Sequence, residues 1–65
     1  MTQTQAILAH LKRGYPVDPA QAYSVWGILR LAARILELRE AGHRIRTDIV
    51  RGNGKHWASY RLDGK

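Results

Sequence analysis

The sequence contains no cysteine. Disulfide bonds, thiolate nucleophiles and cysteine-based zinc sites, which often support very small folds, are therefore excluded. No stretch approaches the roughly 18 consecutive apolar residues of a membrane-spanning helix, and the starting residues MTQT lack the basic region of a signal peptide. We expect a cytoplasmic protein without a membrane partner, whose core is held by packing alone.

Acidic residues are scarce, and the charge is unevenly distributed. The 65 residues include five Asp and Glu against 11 Lys and Arg, for a formal net charge of +6. Only Lys12 and Arg13 precede Arg30, so nine of the 11 basic residues lie from Arg30 onward. A basic surface attracts polyanions and condenses on phosphate backbones, which makes nucleic acid the leading partner class. Charge of this kind also serves solubility alone, so the fold must support the hypothesis.

The pattern of reactive side chains does not indicate an enzyme. His10, His43 and His56 lack the close spacing of a metal motif, and no carboxylate cluster accompanies them. The GNGK segment at 52–55 lacks the length and the following helix of a phosphate-binding loop. So short a chain also has little room for a substrate pocket of about 300 Å³ or more. We predict no catalytic residue, no metal and no cofactor.

Capping residues and apolar spacing predict two helices in the first part of the chain. Thr2 or Thr4 can cap a helix over about residues 3–13, which Gly14 ends. Asp18 is a good N-cap and Pro19 a good first residue for a short helix over about 19–25. The residues expected to face inward on these helices are Ile7, Leu8, Leu11, Ala22 and Val25.

Between these helices, Tyr15, Pro16 and Val17 must be extended, because proline disfavours the helical region for the residue before it. They can supply a short third strand at a sheet edge. After the second helix, Gly27 can take the positive φ that a tight interhelix turn often needs. Trp26, beside this turn, is interpreted as a packing residue.

A third helix is predicted over about residues 29–41, and Gly42 ends it. The residues that recur at helical spacing and should face the core are Ile28, Leu31, Ala32, Ile35 and Leu38. Arg30, Arg34 and Glu37 then share the exposed face. Arg39 lies near the core-facing side, where its stem can pack while its head reaches an acidic group such as Asp48.

Beyond Gly42 the apolar period changes from 3.6 to 2, which predicts a β-hairpin over about residues 45–62. Asn53 and Gly54 form the strongest short-range signal for a tight hairpin turn. Trp57 alternates out of phase with Ala58 and Tyr60, and so is expected on the outer sheet face beside Val50. That apolar pair can be a simple cross-strand contact or the seed of a dimer.

The order of elements predicts an α+β fold, a winged helix-turn-helix domain over residues 1–65 with three helices and a two-stranded wing. The sequence also resembles small winged helix-turn-helix DNA-binding proteins of bacteriophages and prophages. The segments that carry this resemblance are GILRLAARI at 27–35, ELR at 37–39, AGHRI at 41–45 and YRL at 60–62. The resemblance implies the fold more firmly than a biological role, and the short GNGK wing is reduced relative to large winged-helix proteins.

The predicted fold indicates roles for the basic residues. Arg30 and Arg34, near the start of the third helix, are candidates for base readout in the major groove of double-stranded DNA. A simple ion pair along the helix, with Glu37 as the acidic residue in reach of Arg34, is the alternative. Arg51, Lys55 and His56 surround the wing tip and are candidates for backbone contact, although a solvated turn would look similar.

We therefore expect sequence-specific DNA binding by a small phage or prophage transcriptional regulator or an excisionase-like factor. A homodimer that binds two half-sites would contact more base pairs than one such small domain can. The alternative is a winged-helix protein-interaction module, for example a phage inhibitor that occupies the nucleic-acid site of a host enzyme.

Overall fold

Three helices are followed by one antiparallel hairpin in the computed structural model, which describes residues 2–63. The elements are α1 Gln3–Lys12, α2 Pro19–Trp26, α3 Leu31–Glu40, β1 Ile45–Gly52 and β2 Lys55–Leu62. The predicted α+β architecture of a winged helix-turn-helix is thus confirmed. Within residues 2–63, none of the helices has the length and apolar character needed to cross a membrane.

The first two helices begin at residues whose side chains satisfy free backbone N–H groups. The Thr2 hydroxyl accepts a hydrogen bond from the Gln5 backbone N–H at 3.1 Å, and the Gln5 side chain accepts one from the Thr2 N–H at 3.0 Å. This reciprocal pair is a capping box. Asp18 caps α2 by accepting a bond from the Gln21 N–H at 2.8 Å, and Pro19 occupies the first turn, where it needs no such bond.

The turn between α2 and α3 is longer than the sequence suggested. Gly27 adopts a left-handed conformation with φ of 70°, which ends α2, and Ile28 then enters the core with only 2% exposure. Arg30 has φ of −119° and ψ of 67°, outside the helical region. Because the turn must deliver Ile28 to the core before a helix can restart, α3 begins at Leu31 rather than near residue 29.

Two residues expected in the core are exposed. Val25 is 59% exposed, because α2 extends to Trp26 and this larger side chain, one turn after buried Ala22, packs against the core instead. Ala32 is also exposed. The buried stripe of α3 contains only Leu31, Ile35 and Leu38, and at about 100° per residue Ala32 lies outside so narrow a stripe.

The hairpin pairs β1 and β2 in register from Ile45 opposite Leu62 to Gly52 opposite Lys55. Asn53 and Gly54 both have positive φ, 51° and 74°, as a two-residue type I′ turn requires. The expected third strand is reduced to a single bridge, in which Val17 and Tyr60 exchange backbone hydrogen bonds of 2.9 and 2.8 Å. Pro16 has no N–H to donate, so it cannot extend the bridge as a regular ladder.

The core lies where the three helices meet the base of the hairpin. Its buried residues are Ile7, Leu11, Val17, Ala22, Ile28, Leu31, Ile35, Leu38, Ile45 and Tyr60. Leu8, Trp26, Ala58 and Leu62 pack around them. Residues 49–57, by contrast, are all exposed. The hairpin therefore projects from the core, and this projection is the wing.

Candidate nucleic-acid interface

The two arginines predicted to read bases lie together at the start of α3. Arg30 directly precedes the helix and is exposed, and Arg34 lies one turn further on. With Gln3, Gly27 and Leu29 they line a groove of about 290 Å³. The groove therefore lies between the interhelix turn and the beginning of α1, and both arginines line it.

Arg34 is less free than the sequence suggested. Its Nη1 lies 2.9 Å from Oε2 of Glu37, and its side chain is 32% exposed. The other carboxylate oxygen of Glu37 accepts a hydrogen bond of 3.1 Å from the Thr4 hydroxyl on α1. Arg34 and Glu37 are thus turned toward α1, and the ion pair predicted as the alternative role of Arg34 is present. Arg30 forms no ion pair with any residue in 2–63.

The outward side of α3 carries an exposed leucine, which sequence reasoning did not single out. Leu36 is 55% exposed, and Leu29 in the preceding turn is 83% exposed. The available signal was the position of Leu36: it falls outside the stripe formed by Leu31, Ile35 and Leu38, so its side chain cannot reach the same core.

Arg39 fastens α3 to the wing. Its Nε and Nη2 donate to the Ile45 carbonyl oxygen at 3.2 and 2.8 Å, and Nη2 also donates to the Thr47 hydroxyl at 2.8 Å. The prediction that Arg39 reaches Asp48 is wrong. Residues alternate faces along a strand, so Asp48 lies on the face opposite to Thr47. Asp48 instead lies 3.4 Å from Nε of Arg46 on that outer face.

The three basic residues of the wing tip are exposed and lie on both faces of the hairpin. Arg51 is paired opposite His56, so these two side chains share the face that carries Ile45 and Tyr60 further along. Lys55 is paired opposite Gly52 and lies on the other face. The tip therefore carries cations on two sides.

The outer face of the wing carries the apolar pair expected there. The register places Val50 directly opposite Trp57, and both are exposed, at 37% and 38%. Trp57 also borders a groove of about 420 Å³ between the wing and the start of α2, together with Pro19 and Ala20. This groove is distinct from the one lined by Arg30 and Arg34.

The described histidines do not form a metal site. Within residues 2–63, no group of three or more His, Cys, Asp or Glu side chains is placed to hold a metal ion. His10 has a structural role instead: its Nε2 lies 3.0 Å from the Pro16 carbonyl oxygen, and its ring meets Trp26 edge-on at 5.3 Å. These contacts hold the extended segment that delivers Val17 to the core.

A short helix, a tight turn and a second helix followed by a projecting hairpin define the winged helix-turn-helix class, in which the second helix of the motif typically enters DNA. A family model described as a winged helix-turn-helix domain matches residues 2–63, so the chain belongs to this family. No curated protein and no solved structure matches the chain.

Proposed function

We propose that this protein binds double-stranded DNA sequence-specifically, as a small transcriptional regulator or excisionase-like factor of the phage or prophage type that its sequence resembles. In this proposal α3 enters the major groove and the wing tip contacts the sugar-phosphate backbone. The observation that carries it is Arg30, an exposed guanidinium without an acidic partner in the described chain, at the leading end of the second helix of the motif.

Arg30 suits base readout for chemical reasons. The major groove admits an α-helix, and an arginine can donate two hydrogen bonds to the O6 and N7 acceptors of guanine. A guanidinium already paired with a carboxylate must give up or share that contact first. Arg34 therefore acts as a second reader only if Glu37 releases it or holds it in a suitable orientation, whereas Arg30 needs no such exchange.

The wing tip suits backbone contact. Arg51, Lys55 and His56 lie at the end of a hairpin that projects from the core, on both of its faces. Contacts of such residues with phosphates add affinity and set the orientation of the protein but carry no sequence information. The arginines at the start of α3 would therefore read the sequence, whereas the basic residues of the wing tip would bind the phosphate backbone.

Recognition by one small domain covers few base pairs, so we propose that two copies bind adjacent half-sites, about 34–36 Å apart for one helical turn. At saturating protein, a footprint should then cover two half-sites. A footprint that stays confined to one short site would contradict the two-copy arrangement without affecting the binding mode of a single copy.

DNA binding itself is tested by a mobility-shift titration with a random-sequence duplex over a range of salt concentrations. Binding should be weak and should fall steeply with salt, because each neutralised phosphate contributes about −0.9 to the slope of log affinity against log salt. The variant Lys55→Ala should flatten this slope by about one unit. Binding that is undetectable even at low salt would overturn the proposed function.

The outer face of the wing favours a second candidate function. Val50 and Trp57 form an exposed apolar pair beside a groove, a surface that can contact another protein. In this alternative the fold is a protein-interaction module, such as an inhibitor occupying the nucleic-acid site of a host enzyme. The same titration separates the two, because an inhibitor of this kind has no need to bind duplex DNA.

A further inference from the structure

We infer that the outward side of α3 reads thymine methyl groups, with Leu36 as the main contact, so that the preferred DNA site contains thymines next to the guanine contacted by Arg30. This inference rests on the proposed placement of α3 in the major groove. It goes further by naming the base feature that the middle of the helix recognises.

The geometry of α3 leaves an apolar middle for the groove. Leu31, Ile35 and Leu38 form the buried stripe, and at about 100° per residue the opposite side contains Ala33, Leu36, Glu37 and Glu40. Of these, Glu37 is paired with Arg34 and accepts a hydrogen bond from Thr4 on α1. Glu40 is the last residue of the helix, at the end distant from Arg30. Apart from the paired Glu37, the middle turns therefore present an exposed leucine and a half-buried alanine, where a helix that reads bases through hydrogen bonds would carry free polar side chains.

The arginines within the helix do not cover this apolar surface. Arg34 is held toward α1 by Glu37 at 2.9 Å, and the Arg39 guanidinium donates to the Ile45 carbonyl and the Thr47 hydroxyl. Both long side chains are thus held on opposite flanks of α3. Leu36 remains 55% exposed between them.

A second exposed apolar side chain lies on the wing. Arg39 joins α3 to Thr47, and Ile49 is the next residue of β1 on the same face of the sheet. Ile49 is 54% exposed, because the helices cover this face only near Ile45. An exposed isoleucine therefore follows the flank of α3 that faces the wing.

Only one feature of the major groove rewards an apolar side chain. The other base edges present hydrogen-bond donors and acceptors, which Leu36 cannot satisfy, whereas thymine presents its C5 methyl group. Contact with that methyl removes apolar surface of both partners from water. Removing one such methyl should weaken binding about fourfold, the factor expected for one buried methyl-sized group.

The test begins with selection of a preferred site from a random duplex library by the wild-type protein. Each thymine of that site is then replaced singly by uracil, which removes the methyl group but keeps the pairing, the phosphates and the minor-groove pattern. At one or more positions, we expect affinity to fall about fourfold. At the same positions, Leu36→Ala should bind thymine and uracil equally.

Two further variants make the result specific to α3. Val50→Ala removes an exposed apolar side chain from the outer face of the wing, and this variant should retain the wild-type preference for thymine. Leu36→Gln keeps the length of the side chain in a residue that favours helices, so it should lose the preference while remaining folded. Circular dichroism confirms the fold of each variant.

The outcomes distinguish this inference from the function on which it rests. If the wild type selects a site and every uracil substitution is neutral, the thymine inference is wrong while DNA binding stands. The inference also fails if Leu36→Ala retains the full preference, and the exposed leucine is then better explained as a protein contact. If the wild type binds no duplex at low salt, the proposed function fails, and the inference fails with it.

Discussion

The base and the tip of the wing belong to the same two strands, yet they are stabilised in different ways. At the base, Ile45 and Tyr60 are buried, and Tyr60 also forms the backbone bridge to Val17. At the tip, residues 49–57 are all exposed and depend on the strand ladder and the Asn53–Gly54 turn. The base is thus part of the core, whereas the tip can change its side chains with little effect on the fold.

The arginines of α3 and of its preceding turn also differ in how firmly they are held. Arg39 is fastened to the base of the wing by hydrogen bonds, and Arg34 is held by an ion pair with Glu37. Arg30 has neither kind of partner in the described chain. Three side chains of one type within about three helical turns therefore have different freedom, set by what lies beside them rather than by their own chemistry.

The largest expected effect comes from matched substitutions on one face of β1. Ile45→Ala removes a side chain that is 8% exposed and should lower the free energy of unfolding by about 2–5 kcal/mol. Ile49→Ala removes the same atoms from a position that is 54% exposed and should cost less than about 1 kcal/mol. Urea unfolding of both variants gives the comparison. Equal losses would show that the tip is packed like the base.

A smaller effect is expected at the contact between α3 and the base of the wing. Arg39→Met keeps most of the apolar stem but removes the donors to Ile45 and Thr47, leaving the carbonyl without this partner. We expect a loss of about 1–3 kcal/mol in the free energy of unfolding. Arg61→Met, on the exposed outer face, is the matched control and should change stability little. If the two variants are equally stable, the Arg39 contacts do not stabilise the fold.

A smaller and more local effect is expected from a substitution in the hairpin turn. Gly54 has φ of 74°, and an alanine there should cost about 1–2 kcal/mol because its Cβ disfavours this conformation. The damage should stay local, so residues 49–57 should lose most of their amide-exchange protection while the amides near Ile45 remain protected. Loss of protection throughout the core would show instead that the turn supports the whole fold.

Local sequence patterns predicted most of the fold, whereas the features that depend on tertiary packing could not be predicted from them. Thr2 and Asp18 as caps, the Asn53–Gly54 turn and the pairing of Trp57 with Val50 depend on residues close in sequence or on strand alternation, and all are confirmed. How many residues of a helix are buried depends on what packs against it, which helical spacing does not show. Val25 and Ala32 were therefore predicted to be buried, but they are exposed.

The candidate site was predictable only in part, for the same reason. Arg30 and Arg34 could be placed near one helix end from spacing alone. The Thr4 contact that helps hold Glu37 beside Arg34 joins residues 33 positions apart, and no periodicity encodes such a contact. The partner of Arg39 was missed because a backbone carbonyl leaves no mark in the sequence, whereas the aspartate nearby does.

The most direct test of the account is the specificity ratio, the affinity for the selected site divided by that for random duplex, measured for folded Arg30→Ala and Lys55→Ala. Arg30→Ala should lose on the order of 1–3 kcal/mol on the selected site and much less on random duplex, so the ratio falls. Lys55→Ala should weaken both alike and leave the ratio unchanged. Arg34→Ala should also lower the ratio if Arg34 is a second reader. An unchanged ratio for Arg30→Ala and Arg34→Ala would contradict sequence readout by these arginines of α3.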